Sequence, residues 1–209
     1  MPIRPVSPSS LVDLIADRIA EEPADRWVRV AVDGAPATAP DRLAVSLLDP
    51  LRVRGRPARQ VSAVDFLRPA SLRYESGRTN PDAFYDGWLD AAGLRREVLD
   101  PLGSTGDGRL LPTLWDAETD RATRAEYVIL APGGVLLLSG PLLLGGELPF
   151  DVTVHLAMSP AALARRTPPE DAWTLPAYER YADEVDPASF ADVVVLLNDP
   201  RHPALVARA

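Results

Sequence analysis

Trp27-Val28-Arg29-Val30-Ala31-Val32-Asp33-Gly34-Ala35-Pro36-Ala37-Thr38-Ala39-Pro40-Asp41 is the stretch that decides the fold. Its first half is a near-continuous run of small and β-branched residues, as in a strand buried on both faces, and it ends on a glycine suited to a tight turn. Beyond the prolines, Leu43, Val45, Leu47 and Leu48 supply the apolar face of a helix. The order is strand, loop, helix.

That order is also the setting of the phosphate-binding pattern G-x-x-x-x-G-K-[ST], whose backbone amides and lysine hold the phosphates of a nucleotide. Gly34 stands at the first glycine, but Ala39 replaces the second, Pro40 the lysine, and Asp41 the hydroxyl residue that would hold magnesium. The chain contains no lysine; all 22 of its basic residues are arginine. Pro36 and Pro40 each remove a backbone N–H from the cradle. A carboxylate at position 41 would repel a phosphate by roughly 4 kcal/mol at about 4 Å and an effective dielectric near 20. Thr38 and Asp41 are spaced as a capping-box variant, in which the protein's own side chains satisfy the helix donors. The scaffold of a nucleotide-dependent enzyme is expected here with its phosphate chemistry removed.

The length of 209 residues suits a single domain, 1–209, with a hairpin over 110–130 and a lid over 165–175 as subelements. Apolar residues at 46% and charged residues at 25% match an ordinary soluble globular protein. Without cysteine there is no disulfide framework and no thiolate metal site. His155 and His202 are well separated, so no metal site is expected. Met1-Pro2-Ile3-Arg4-Pro5 lacks the apolar core of a signal peptide, and a cytoplasmic location is expected. The most apolar stretch, 127–144, is broken by Pro132-Gly133-Gly134 and Ser139-Gly140-Pro141, which argues against a membrane span. A net charge of −8 argues against nucleic acid as a partner. Arginine without lysine, together with 22 prolines, fits a high-GC genome.

Periodicity predicts a helix over 8–22 with Ser9 or Ser10 as cap, a second strand through Val61-Ser62-Ala63-Val64, and a helix over 81–99. Residues 110–115 and 126–130 are expected to pair as a hairpin. Buried strands follow at 134–138 and 151–156, a helix from Ser159 to Arg166, a helix over 176–184 and a last strand over 191–197. Strands alternating with helices predict an α/β fold in three layers, with a mostly parallel, doubly wound sheet.

Together the segments resemble the uridine kinase branch of the P-loop kinases, in the short form found in actinobacteria. The resemblance spans about residues 11–206 and rests on five segments. They are Arg29-Val30-Ala31-Val32-Asp33-Gly34, Val61-Ser62-Ala63-Val64-Asp65-Phe66-Leu67-Arg68-Pro69, Asn80-Pro81-Asp82-Ala83-Phe84-Tyr85, Asp100-Pro101-Leu102-Gly103 and Tyr181-Ala182-Asp183-Glu184-Val185-Asp186-Pro187. It implies a P-loop kinase fold and a set of functional positions, most of which are altered. The position of the base that would activate the nucleoside hydroxyl is Val64, with Asp65 one residue on and, if the strand continues, on the opposite face. The magnesium-ordering acid falls at Ser139, and the ribose-gripping aspartate at Thr79. Arg42, Arg68 or Arg165 are the residues that could replace the lysine.

What survives lies on the acceptor side. Arg68, Arg73 and Arg78 flank the acceptor segment with Tyr74, Phe84 and Tyr85, and Trp115 falls where the family sets an aromatic ring against the base. Arg165-Arg166 match the paired arginines at the base of the family's lid, and serve equally well as a helix C-terminal pair. Asp65, Tyr85 and Arg78 are the candidate catalytic groups; Arg68, Tyr74, Arg78, Phe84, Tyr85, Trp115 and Arg165 are the candidate ligand contacts. His155, mid-strand, is expected to be structural, and no Ser-His-Asp triad can be assembled around Ser139. The reading is a pseudokinase that binds a small aromatic or anionic molecule without a cofactor, dimerisation being left open. An enzyme turned to cyclisation, isomerisation or hydrolysis in specialised metabolism, and a residual kinase, are the alternatives.

Overall fold

The computed structural model describes residues 3–206. In chain order the elements begin with β1 (Ile3–Pro5), α1 (Pro8–Ala20), β2 (Val28–Asp33), α2 (Pro40–Val53) and β3 (Ala58–Ser62). Three short helices follow, α3 (Ala70–Arg73), α4 (Pro81–Gly87) and α5 (Ala91–Leu94), then β4 (Arg109–Leu110), β5 (Trp115–Asp116), β6 (Arg121–Ala122) and β7 (Val128–Ile129). The C-terminal half holds β8 (Val135–Gly140), β9 (Val152–Ala157), α6 (Pro160–Arg166), α7 (Leu175–Glu184), α8 (Pro187–Phe190), β10 (Val193–Leu196) and β11 (Ala204–Val206).

The main sheet has the order β1-β11-β10-β9-β2-β8-β3. The five strands from β10 to β3 are parallel, and β11 and β1 add an antiparallel edge beyond β10. Alternation along the strands sends residues to both faces. Val28, Val30 and Val32 pack with Leu11, Ile15 and Ile19 of α1 and with Leu47 and Leu51 of α2. Leu136 and Leu138 turn the other way, to Phe66, Leu94, Val98 and Leu99. Both faces are therefore covered, as a parallel sheet requires. Among the described residues no helix is long and apolar enough to cross a membrane.

Several expected boundaries move for local reasons. Ser7, not Ser9 or Ser10, caps α1: its hydroxyl accepts from the Ser10 amide at 3.1 Å, with Pro8 preset in the first turn. The second strand stops at Ser62, and residues Ala63–Phe66 form a 3-10 turn. There the chain crosses tightly over Gly140, where a Cβ would come within 2.7 Å of Ala63 Cβ. The helix expected over 81–99 breaks after Gly87 because Leu89 is drawn into an antiparallel bridge with Leu67. Arg68 N–H donates to the Trp88 carbonyl, and Asp90 N–H to that of Phe66. Asp90 then caps α5 by accepting from the Gly93 amide at 2.9 Å, and a π-helical turn, Arg95–Leu99, follows. Residues 110–130 make two short ladders, β4 with β7 and β5 with β6.

Candidate functional site

The loop after β2 is closed on itself. Pro36–Thr38 forms one 3-10 turn, in which Thr38 N–H donates to the Ala35 carbonyl at 2.8 Å and Ala39 N–H to that of Pro36 at 2.9 Å. The Thr38 hydroxyl also donates to the Ala35 carbonyl, at 2.7 Å. Its oxygen lies so close over Gly34 that a Cβ there would be 2.5 Å away, so threonine occupies the concavity the glycine leaves. The expectation that Thr38 caps the helix is thereby corrected. Ala39 is the N-cap of α2, in a left-handed conformation (φ 56°, ψ 56°), and no side chain caps the helix. That turn separates Thr38 from the helix start, and Pro40 in the first turn carries no N–H to be capped.

Asp41 reaches the sheet. Its Oδ1 accepts from the hydroxyls of Ser139 (2.6 Å) and Ser62 (2.8 Å) and from Gln60 Nε2 (3.3 Å), while Gln60 Nε2 also donates to Ser139 Oγ at 2.8 Å. The two substitutions at 41 and 139 are thus coupled. A carboxylate on the helix meets a hydroxyl on the strand, the reverse of the arrangement the motif implies. Val64 is 44% exposed. Since residues 63–66 turn instead of continuing the strand, strand alternation does not place Asp65 on the far face. Burial, then the charges of Asp41 and Asp116, raise its carboxyl above the ordinary value.

Two cavities open near this loop, on either side of Leu142. The first, of about 150 Å³, is bounded by Val64, Phe84, Tyr85, Trp88 and Leu142. Trp88 Nε1 is a buried donor without an acceptor among the described residues. The remaining candidates do not line this cavity. Arg78 stacks over Tyr74 at 4.8 Å, and Tyr74 meets Trp88 edge to face at 5.6 Å. Arg68 is exposed and has a guanidinium nitrogen near Gly87. Trp115 lies on the β5–β6 ladder, where its indole N–H donates to Asp120 at 3.1 Å. Arg165 donates to the Ala161 carbonyl at 2.9 Å within its own helix. Arg180 lies over Tyr85 at 4.2 Å, and burial is the first cause of that tyrosine's raised pKa. The segment expected as a lid contains a 3-10 helix, Pro169–Thr174, anchored by Trp173 against Phe84 (5.7 Å) and Trp88 (5.3 Å).

The second cavity, of about 180 Å³, lies between the loop, β9, α6 and α7, and is bounded by Gly34, Thr38, His155, Leu163, Tyr178 and Tyr181 among others. Beneath it Asp33 is fully buried. It accepts from the Leu143 amide (2.9 Å) and the Tyr181 hydroxyl (3.1 Å), and pairs with His155 Nδ1 at 2.7 Å. His155 is therefore more than the inert strand residue its sequence position implied. The signal was faint: parallel pairing sets Asp33 opposite His155 on the neighbouring strand. No arginine lines either cavity.

The architecture has clear relatives among solved structures. A possible uridine kinase from Bacillus stearothermophilus superposes with a TM-score of 0.72 at 21% identity, over 89% of this chain and 97% of that one. A candidate fructose transport system kinase from Silicibacter sp. TM1040 gives 0.55 at 21% identity, over 86% and 83%. The likeness is one of fold: a mostly parallel sheet covered by helices on both faces, shared with proteins described as kinases. No family model and no curated protein matches the sequence. In a P-loop kinase fold the loop after the first parallel strand would receive Mg-ATP. The residues here do not fit that ligand. Two loop amides are spent on the loop's own carbonyls, Thr38 fills the concavity, and Asp41 already takes three donors on one oxygen.

Proposed function

We propose that the chain is a P-loop kinase scaffold without phosphoryl transfer, a pseudokinase that binds a small molecule in the cleft divided by Leu142. The observation that carries this reading is the self-closed loop: Thr38 turned onto Ala35 and Gly34, beside cavities that no arginine lines. Phosphoryl transfer is almost wholly positioning and charge stabilisation, so a site without a cradle and without a cation has little to offer it. On the acceptor side, the rings of Phe84, Tyr85 and Trp88 favour an aromatic ligand. The arginines expected to hold an anion face other groups. A binding or regulatory role follows.

A second reading, an enzyme turned to phosphate-free chemistry, is favoured by the Asp33–His155 pair. A histidine oriented by a buried carboxylate is the usual form of a general base. The test of the first reading is a transfer assay with magnesium, labelled ATP or GTP, and a panel of nucleosides and sugars. No labelled product is expected above a no-protein control. Product formation lost on Asp41→Ala would overturn it.

A further inference from the structure

Thr38, His155, Tyr178, Tyr181 and Asp186 are the polar side chains that line the cavity between the loop, β9 and α7, and two of them, His155 and Tyr178, have complementary hydrogen-bonding capacity. His155 Nδ1 faces Asp33, whose carboxylate also collects the Tyr181 hydroxyl and the Leu143 amide. In the neutral imidazole an acceptor so placed keeps the proton on Nδ1 and leaves Nε2 with a lone pair. No described residue hydrogen-bonds to Nε2 or to the Tyr178 hydroxyl, and neither atom is sealed from solvent. Burial first, then the charge of Asp33, keeps the Tyr178 phenol protonated, so it is a donor near that carboxylate. The walls are apolar, with Leu142, Leu156, Met158, Leu163 and Pro187. Leu142 is held at φ 59°, next to the amide that Asp33 grips, and backs this cavity against the other.

We propose that this cavity binds a small ring compound bearing one hydroxyl, which donates to His155 Nε2 and accepts from the Tyr178 hydroxyl. The volume of about 180 Å³ suits a single ring, since an apolar cavity of roughly 150 Å³ takes up benzene. With no arginine in the lining and the Asp186 carboxylate among it, the cavity disfavours a phosphate or carboxylate as the anchoring group, and a hydroxyl satisfies an acceptor and a donor at once. The inference rests on the closed loop of the preceding reading, because a bound nucleotide would displace Thr38 from the cavity wall.

The test uses the full chain, with phenol as the probe and toluene as its hydroxyl-free counterpart, followed by calorimetry and by nitrogen-15 NMR of the imidazoles. His202→Ala separates the two histidine signals. Phenol is expected to bind at one site, to move the His155 Nε2 resonance, and to bind about tenfold more tightly than toluene, as one good hydrogen bond provides. His155→Leu is expected to erase that preference while toluene still binds. Tyr178→Phe removes only a hydroxyl without a protein partner, so it leaves folding intact and should weaken phenol alone. Equal binding of the two probes, no phenol binding at tens of millimolar, or indifference to Tyr178→Phe would overturn the proposal. Mg-ATP forms a separate arm: displacement of phenol by Mg-ATP defeats the closed-loop reading as well, whereas silence of both ligands defeats only this inference.

Discussion

Ala39 holds a left-handed backbone at φ 56° and ψ 56°, a conformation that costs an L-residue with a Cβ about 1–2 kcal/mol. Ala39→Gly removes that cost but adds unfolded-state entropy of roughly 0.5–1 kcal/mol. The net expectation is a gain of about 0.5–1 kcal/mol, read from urea unfolding; a loss of stability would mean the loop does not have this conformation. Asp65 is unfavourable for stability in a different way. Burial, then Asp41 and Asp116, raise its folded pKa above the unfolded value of 3.8. The native state then holds its proton more tightly, so stability falls as pH rises through that interval and stays lower above it. Asp65→Asn should therefore raise the melting temperature at pH 7 and leave it nearly unchanged at pH 3. A destabilised Asn variant at pH 7 would show that the carboxylate is needed ionised in the fold.

The segment between α6 and α7 packs against two residues, Phe84 and Trp88, that bound the first cavity. Trp173 docks it on Phe84 and Trp88, and Tyr178 of α7 adds an edge contact to Phe84 at 5.9 Å. Trp173→Ala should cost about 2 kcal/mol, less than a fully buried tryptophan because the residue is half-buried, and should speed hydrogen exchange across 165–175. Unchanged exchange there would mean the segment is held by other contacts. The strands of the parallel sheet were legible because unbroken apolar runs such as Val135-Leu136-Leu137-Leu138 have few other uses. The 3-10 turn at Ala63–Phe66 and the break after Gly87 were not, because they depend on pairing between residues about twenty positions apart, such as Leu67 with Leu89. The altered loop could be read residue by residue. The destination of Thr38 could not, since a threonine can cap forward or bond backward with equal ease. Ser139 and Asp41 each looked like a separate loss until the fold set them in contact. His155 read as a structural strand residue because its partner, Asp33, lies on a strand 122 positions away.

At the scale of the molecule, both cavities sit at the carboxyl ends of the parallel strands, where open α/β sheets place their ligands. The loop after β2 beside them packs on itself, with Thr38 turned onto Ala35 and Gly34. Retention of the cleft with closure of the cradle is what the proposed loss of phosphoryl transfer, with binding preserved, would produce. The most direct measurement is thermal unfolding and calorimetry of the full chain with Mg-ATP at millimolar concentration. An unchanged melting temperature and no heat of binding beyond dilution are expected, because a ligand stabilises only as its concentration exceeds its Kd. A stabilisation that saturates in the micromolar range would contradict it, and would show that the loop reopens around Thr38 to receive a nucleotide.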